Sequence, residues 1–291
     1  MSTTNINFAK SVGQYDSVAA AIVFTVLYAP LAIRFIISLV RQRKRVLFVL
    51  TLFCQIRIAS FAIRAVLTSS ESAGENESLF IADQVLQSVG FVGLLLSTYG
   101  LIIDRLNLSS SNSQPSSRPL FQLLQNQRIF HLLTTTTAVL GIVGITYLTD
   151  PDESKRSTGN TLKKVSVVLF LILTVITVLL TAMLIMSEAN VSRERPTALK
   201  PSTSPASRSQ SPSSSNFVHT QVPYILVLIA LLLLFREIFL TATISSPQTQ
   251  NSEKFWYPLV ALPEFLCVVC FAIPGVIPPK KAVQDWEQGA W

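Results

Sequence analysis

Charge is scarce in this sequence. Only 13% of its 291 residues are Asp, Glu, Lys or Arg, against about 25% in a typical soluble domain. With 49% hydrophobic residues, such a chain does not have water as its main solvent. Histidine is scarcer still. His131 and His219 are the whole supply, too few for the His and carboxylate clusters that hold zinc and activate water. The three cysteines, Cys54, Cys267 and Cys270, all fall inside apolar runs, so they read as small buried hydrophobes rather than as a disulfide framework. Glycine forms no phosphate-cradling loop, which excludes an ATP-driven pump at the level of this chain. Residues 257–277 contain no lysine, which excludes a retinal Schiff base in the last apolar segment. No catalytic centre is visible, so neither enzymatic activity nor a cofactor is expected. A cleavable signal peptide is not expected either, because residues 1–16 are polar and the first apolar run is too long for a signal h-region.

What the sequence does have is long apolar runs. Seven stand out, at Ser17–Val40, Val46–Ser70, Leu79–Ile103, Ile129–Leu148, Val165–Ser187, Val222–Ile244 and Tyr257–Ile277. Each is long enough to cross a hydrocarbon core that needs roughly 20 residues per helix. The expectation is an all-α membrane protein. It is a seven-transmembrane helix bundle over residues 17–277, with an extracellular N-terminus at 1–16 and a cytosolic tail at 278–291. The net charge of +7 does not indicate nucleic acid, because the basic residues sit beside apolar segments instead of forming a face or stripe.

Orientation follows from Lys and Arg, which are retained on the cytoplasmic side. With the N-terminus outside and the C-terminus cytosolic, the inner segments hold thirteen basic residues and the outer ones six. The outer pair Lys163 and Lys164, directly before the fifth window, is the anomaly in that count. The inner stretch at about 193–215 is rich in Ser and Pro and cannot bury enough apolar surface to order itself. Within it, Ser204 and Ser211 each precede a proline and are candidate phosphorylation sites. Leu108–Arg118 is polar and expected to be disordered as well, and Leu120–Arg128 alternates in a way that suits the inner interface. Of the sequons at Asn76, Asn107 and Asn190, this topology puts only Asn76 outside, as a candidate glycosylation site. Tyr15, Trp256 and Tyr257 suit an interfacial aromatic belt.

Ionisable residues inside the apolar windows are costly in hydrocarbon, and they normally face the bundle interior or a wet cavity. They are Arg34, Arg57, Arg64, Asp83, Arg236, Glu237 and Glu264. Arg34 lies near the inner end of its helix, where its side chain can snorkel to the interface. Arg64 and Asp83 fall at similar depths on adjacent helices, which predicts a salt bridge. Arg57 lies seven residues from Arg64, on the same face of helix two. Asp83, Gln87, Gly90 and Ser97 share a face of helix three, while Gly93, Ser97 and Gly100 supply small residues for close helix contact. Pro263 removes a backbone hydrogen bond just before Glu264, and a kink there would aim Glu264 inward. Two readings stay open. Arg57, Arg64, Asp83, Gln87, Arg236, Glu237 and Glu264 line an outer polar cavity that binds a lipid or amphiphile, or they pair among themselves and fix helix register.

Phe235-Arg236-Glu237-Ile238-Phe239 in helix six, and Tyr257 through Leu262, Pro263 and Glu264 to Pro274-Gly275 in helix seven, carry a resemblance. So do Tyr15-Asp16-Ser17-Val18-Ala19, Tyr28-Ala29-Pro30 and Arg57. On these residues the chain resembles a fungal seven-transmembrane integral membrane family of unknown function. That family is distantly similar to the lipid-translocating exporters of aminocholesterol resistance. The exporters usually carry a second arginine where this chain has Leu240, and an aspartate where it has Val260. The resemblance implies a seven-helix fold in a fungal membrane. The plasma membrane is expected before an endomembrane.

Three functions are compatible with this pattern. The first is binding or translocating a lipid or amphiphile through the outer polar cavity, with membrane lipids or a lipid-like small molecule as partners. The second is a receptor-like sensor that engages a cytosolic signalling partner through Arg41–Arg45 and the third inner loop. The third is a structural scaffold.

Overall fold

The computed structural model describes residues 10, 13–15, 17–110, 126–150, 152–194 and 215–277. Every regular element among them is helical. Seven helices are long and apolar enough to cross a membrane, and the chain is a multi-pass membrane protein. We number them α1 (Val18–Gln42), α2 (Arg45–Ser69), α3 (Glu77–Ser110), α4 (Gln127–Thr149), α5 (Glu153–Glu194), α6 (Ser215–Ala242) and α7 (Leu262–Ala272). The last is entered through a turn of helix at Glu253–Trp256 and a π-helical turn at Tyr257–Ala261, and together they make the seventh span, Glu253–Ala272. Successive helices run in opposite directions. The end at which α1 starts is called the amino-terminal face below.

The local chemistry explains the boundaries. Ser17 caps α1, its hydroxyl accepting from the Ala20 amide at 3.2 Å, so one orphan donor of the first turn is satisfied. Helix α1 ends at Arg43, which adopts a left-handed conformation at φ 43° and returns its N–H to the Leu39 carbonyl. This leaves only two residues before α2. At the start of α3 the side-chain Oδ1 of Asn76 accepts from the Leu79 amide at 3.1 Å, so the expected glycosylation residue is an exposed helix cap. Arg34 does not simply snorkel. Its guanidinium donates to the Ala272 carbonyl and satisfies an acceptor that the end of α7 leaves open.

Helix α3 packs against α2, α4, α5 and α6, as expected of a central helix. The seventh span is the most enclosed, with 56% of its apolar window buried, and α1 the least, with 28%. Outward-facing residues such as Val26, Val40, Leu132 and Met186 are apolar and exposed, which is the pattern of a lipid-facing surface. Aromatic packing ties α1, α2 and the seventh span together. Phe24 stacks on Phe61 and on Tyr257 with centroids 5.3 Å apart, and Tyr28 meets Phe265 edge-on at 5.5 Å. All three cysteines are free and buried, as read.

Several expectations need correcting. Helix α5 begins at Glu153, twelve residues before the apolar window, so Lys163 and Lys164 lie in a helix and not in a loop. The cause is close packing. A Cβ on Gly144 would fall 2.8 Å from the Lys163 amide nitrogen, and one on Gly159 would fall 2.8 Å from the Gly144 carbonyl. Backbone contact of this kind holds the polar start of α5 against α4. Gly100, expected at a helix contact, faces nothing within 4 Å, while Gly93 does approach Val49. Residues 108–110, expected to be disordered, continue α3. Ser204 and Ser211, most of the stretch at 193–215, and residues 111–125 lie outside the described residues.

Candidate functional site

Helix periodicity brings the buried polar residues onto facing surfaces. Arg57, Ser60 and Arg64 share a face of α2, and Asp83 and Gln87 share the opposing face of α3. The carboxylate of Asp83 accepts from Ser60 Oγ at 2.5 Å and from the Tyr15 hydroxyl at 2.7 Å, and it pairs with Arg64 Nη2 at 3.4 Å. The expected Arg64–Asp83 salt bridge is therefore present. Gln87 joins this group to the next one. Its Nε2 donates to Ser60 Oγ at 2.8 Å, and its Oε1 accepts from Arg57 Nη1. Arg57 then pairs with Glu264 Oε2 at 2.5 Å, and the other oxygen of Glu264 accepts from Arg236 Nε at 2.7 Å. Arg236 also pairs with its neighbour Glu237. All seven residues singled out in the sequence thus belong to one connected network that spans α2, α3, α6 and α7.

The network is charge-balanced, with three arginines facing three carboxylates. None of the six side chains is more than 8% exposed. Isolated charges would be prohibitive at such burial, and reciprocal pairing offsets the desolvation. Aromatic faces add to it. The Arg64 guanidinium carbon lies 3.8 Å from the Trp256 ring and 4.2 Å from Tyr15, and that of Arg236 lies 4.0 Å from Phe91, distances at which cation–π attraction is strong. Gly90 makes the room. A Cβ there would sit 3.3 Å from the Arg57 guanidinium carbon. The π-helical turn falls where the Pro263 ring would meet the carbonyl of Leu259, and the wider turn delivers Glu264 to the two arginines.

Tyr15, Trp256 and Tyr257 do not form an interfacial belt. All three are buried, and Tyr15 and Trp256 flank Arg64. The Tyr15 hydroxyl also accepts from Gln84 Nε2 at 2.8 Å. Burial and the adjacent Asp83 carboxylate push its ionisation well above the usual tyrosine range, although Arg64 opposes this, so it acts as a neutral donor.

Beside the network, toward the amino-terminal face, lies a partly open cavity of about 120 Å³ between α3, α4, α5, α6 and the seventh span. Arg64, Gln87 and Arg236 reach its wall, whereas Arg57, Asp83, Glu237 and Glu264 do not line it. Of its remaining polar lining, Gln84, Ser88, Ser166, Gln250 and Asn251 went unrecognised in the sequence and Tyr15 and Lys163 were noted for other reasons, and no Asp or Glu lines it. Lys163 is half-buried. It has no ion-pair or hydrogen-bond partner among the described residues. The sequence signal for it was the out-of-place positive charge before the fifth apolar window.

The sequence pattern of DUF7702, a domain of unknown function, matches residues 13–200. The chain belongs to this family. The match takes in α1–α5 and with them Tyr15, Arg57, Arg64, Asp83, Gln87 and Lys163, while Arg236, Glu237 and Glu264 lie beyond it. No curated protein and no solved structure matches the chain.

Proposed function

We propose that this DUF7702 protein binds the anionic head group of an amphiphile in the cavity beside the charge network. The observation that carries the reading is the lining. Three cationic side chains and a set of amide and hydroxyl groups converge on a space that no carboxylate enters. Convergent donors in a concave, partly apolar site favour an anionic acceptor group. Size narrows the ligand further. At about 120 Å³ the cavity falls well below the 300–1,000 Å³ typical of sites that enclose a whole drug-sized molecule. It suits a carboxylate or phosphate, with the hydrocarbon tail left in the bilayer. Binding is therefore favoured over translocation of a whole lipid. The resemblance of helices six and seven to lipid-translocating exporters is compatible with this reading.

The network itself supports a second reading for its own residues. Six charges that neutralise one another act as a scaffold that fixes four helices, and the ligand engages only the side of that scaffold which Arg64, Gln87 and Arg236 present. The receptor-like alternative depends on the inner loop at 193–215 and has no specific observation in its favour.

For the purified protein in neutral phosphatidylcholine nanodiscs, native mass spectrometry should show retained anionic amphiphile, and added oleate should raise the melting temperature. Folded protein that gains no mass and no stability from anionic amphiphiles would overturn the proposal. The excess of Lys and Arg opposite the amino-terminal face supports an N-terminus outside and a cytosolic C-terminus. An N-terminal tag should then be reachable in intact cells and a C-terminal tag not. The reverse accessibility would refute the orientation.

A further inference from the structure

We infer that Lys163 is the residue that selects the ligand of this cavity, and that it selects for a single negative charge. The inference rests on the head-group reading above and goes beyond it by naming the recognising residue and the charge of the ligand.

Of the cations that reach the cavity, Arg64 already holds Asp83, and Arg236 already holds Glu237 and Glu264. Together with Arg57 these six charges sum to zero. Lys163 is the surplus, lining the same cavity with no acidic partner among the described residues. A cation that is half-buried in a membrane domain and unpaired is expensive, so one anion at this point would complete the balance.

Position supports the same assignment. Lys163 stands two residues before the apolar run Val165–Ser187, at the boundary between polar and apolar helix surface, which is the depth at which lipid head groups lie. Its backbone is packed closely, since a Cβ on Gly144 would fall 2.8 Å from its amide nitrogen. The base of the side chain is thus fixed, while the ammonium keeps the reach of its flexible four-carbon stem. A lysine provides a point charge without the planar fork of arginine, so it would read charge more than head-group shape.

The test uses the full-length protein in phosphatidylcholine nanodiscs with four probes. These are oleate, oleyl alcohol with the same tail and no charge, and acetate and inorganic phosphate with charge and no tail. Wild type and Lys163→Arg should bind oleate, and Lys163→Met should bind it at least tenfold more weakly while its affinity for oleyl alcohol is unchanged. Melting curves of Lys163→Met without ligand verify that the variant is folded, and Lys163→Arg keeps the charge if the neutral variant is not. Oleate binding by a folded Lys163→Met equal to wild type would overturn the role of Lys163 and leave the head-group reading standing. Acetate or phosphate displacing oleate at comparable concentration from wild type, and doing so at least tenfold more weakly from Lys163→Met, would support Lys163 as the anion contact and overturn the amphiphile. Wild type that binds none of the four would overturn both.

Discussion

In the α4–α5 hairpin, the buried hydroxyls of Thr134, Thr137, Thr174, Thr177 and Thr181 each return to a carbonyl four residues earlier in their own helix, at 2.7–2.9 Å. In the assembly of α2, α3, α6 and the seventh span, Thr51 and Thr98 do the same, but Arg57, Ser60, Asp83, Gln87 and Glu264 reach across to another helix. The buried hydroxyls of the hairpin are self-sufficient helix by helix, and its two helices meet by backbone proximity at Gly144 and Gly159 plus a crossing bond from Ser166 Oγ to the Thr137 carbonyl at 2.9 Å. The four-helix network depends on every member having its partner. One region should therefore fail through lost charge balance and the other through lost space. The cavity lies where the two regions meet, and each contributes cations to it.

The largest effect should come from Glu264, because it serves two arginines. Glu264→Gln leaves Arg57 and Arg236 with one carboxylate fewer in a buried site. Removing one partner of a buried pair costs about 3–5 kcal/mol, and unfolding in mixed micelles should show a loss of that size. The double variant Arg57→Gln/Glu264→Gln restores neutrality and should recover part of it. A single variant within about 1 kcal/mol of wild type would break the comparison, since the network would then tolerate imbalance as the hairpin does.

The intermediate effect belongs to the glycines. Gly159→Ala places a methyl group 2.8 Å from the Gly144 carbonyl and from the Leu148 amide nitrogen. Backbone atoms cannot step aside as a flexible side chain can, so α4 and α5 must separate, at a cost of about 1–3 kcal/mol. That exceeds the gain of up to about 1 kcal/mol that alanine brings to a helix interior. Gly100→Ala meets nothing within 4 Å and should show only the gain. Thermal unfolding of the two variants side by side would separate the outcomes, and equal shifts would remove the steric account of the hairpin.

The two regions also differed in how far they could be read from sequence. Arg57, Arg64, Asp83, Arg236, Glu237 and Glu264 were legible because an ionisable residue inside an apolar window has few affordable fates, and equal depth on neighbouring helices already paired Arg64 with Asp83. Lys163 was not. The run from Glu153 to Lys164 has neither apolar periodicity nor length to mark it as helix, and only the approach of its Gly159 and Lys163 to Gly144, on a different segment, makes it part of the bundle. Tyr15 and Trp256 were misread for a related reason. An aromatic residue at the end of an apolar run serves equally well at an interface or against a buried cation, and the choice depends on whether a guanidinium such as that of Arg64 stands within reach.

The smallest effect is expected where the hairpin carries its charge outside the membrane, at the α4–α5 turn. Asp150 accepts from the Asp152 amide at 3.0 Å and from Lys155 Nζ at 2.9 Å. The backbone hydrogen bond, and after it the Lys155 ammonium, hold its carboxyl below the usual carboxylate range. A carboxyl whose ionisation is lowered by folding contributes fully above its unfolded value, near pH 4, and the contribution is lost as pH falls through the lower folded value. Hydrogen exchange at the Asp152 amide should therefore be unchanged from neutral pH down to that point, after correction for intrinsic rates, and should lose protection below it. Asp150→Asn keeps an acceptor for the amide but removes the charge, and it should abolish this acid dependence. The same dependence in the variant would show that the Asp150 carboxylate is not its source. Raised salt should weaken the Lys155 contribution, because an exposed pair is screened. The ion pairs of α2, α3, α6 and the seventh span, shielded from water, should not respond to salt. A salt response of equal size in both regions would show that water reaches the network through the cavity.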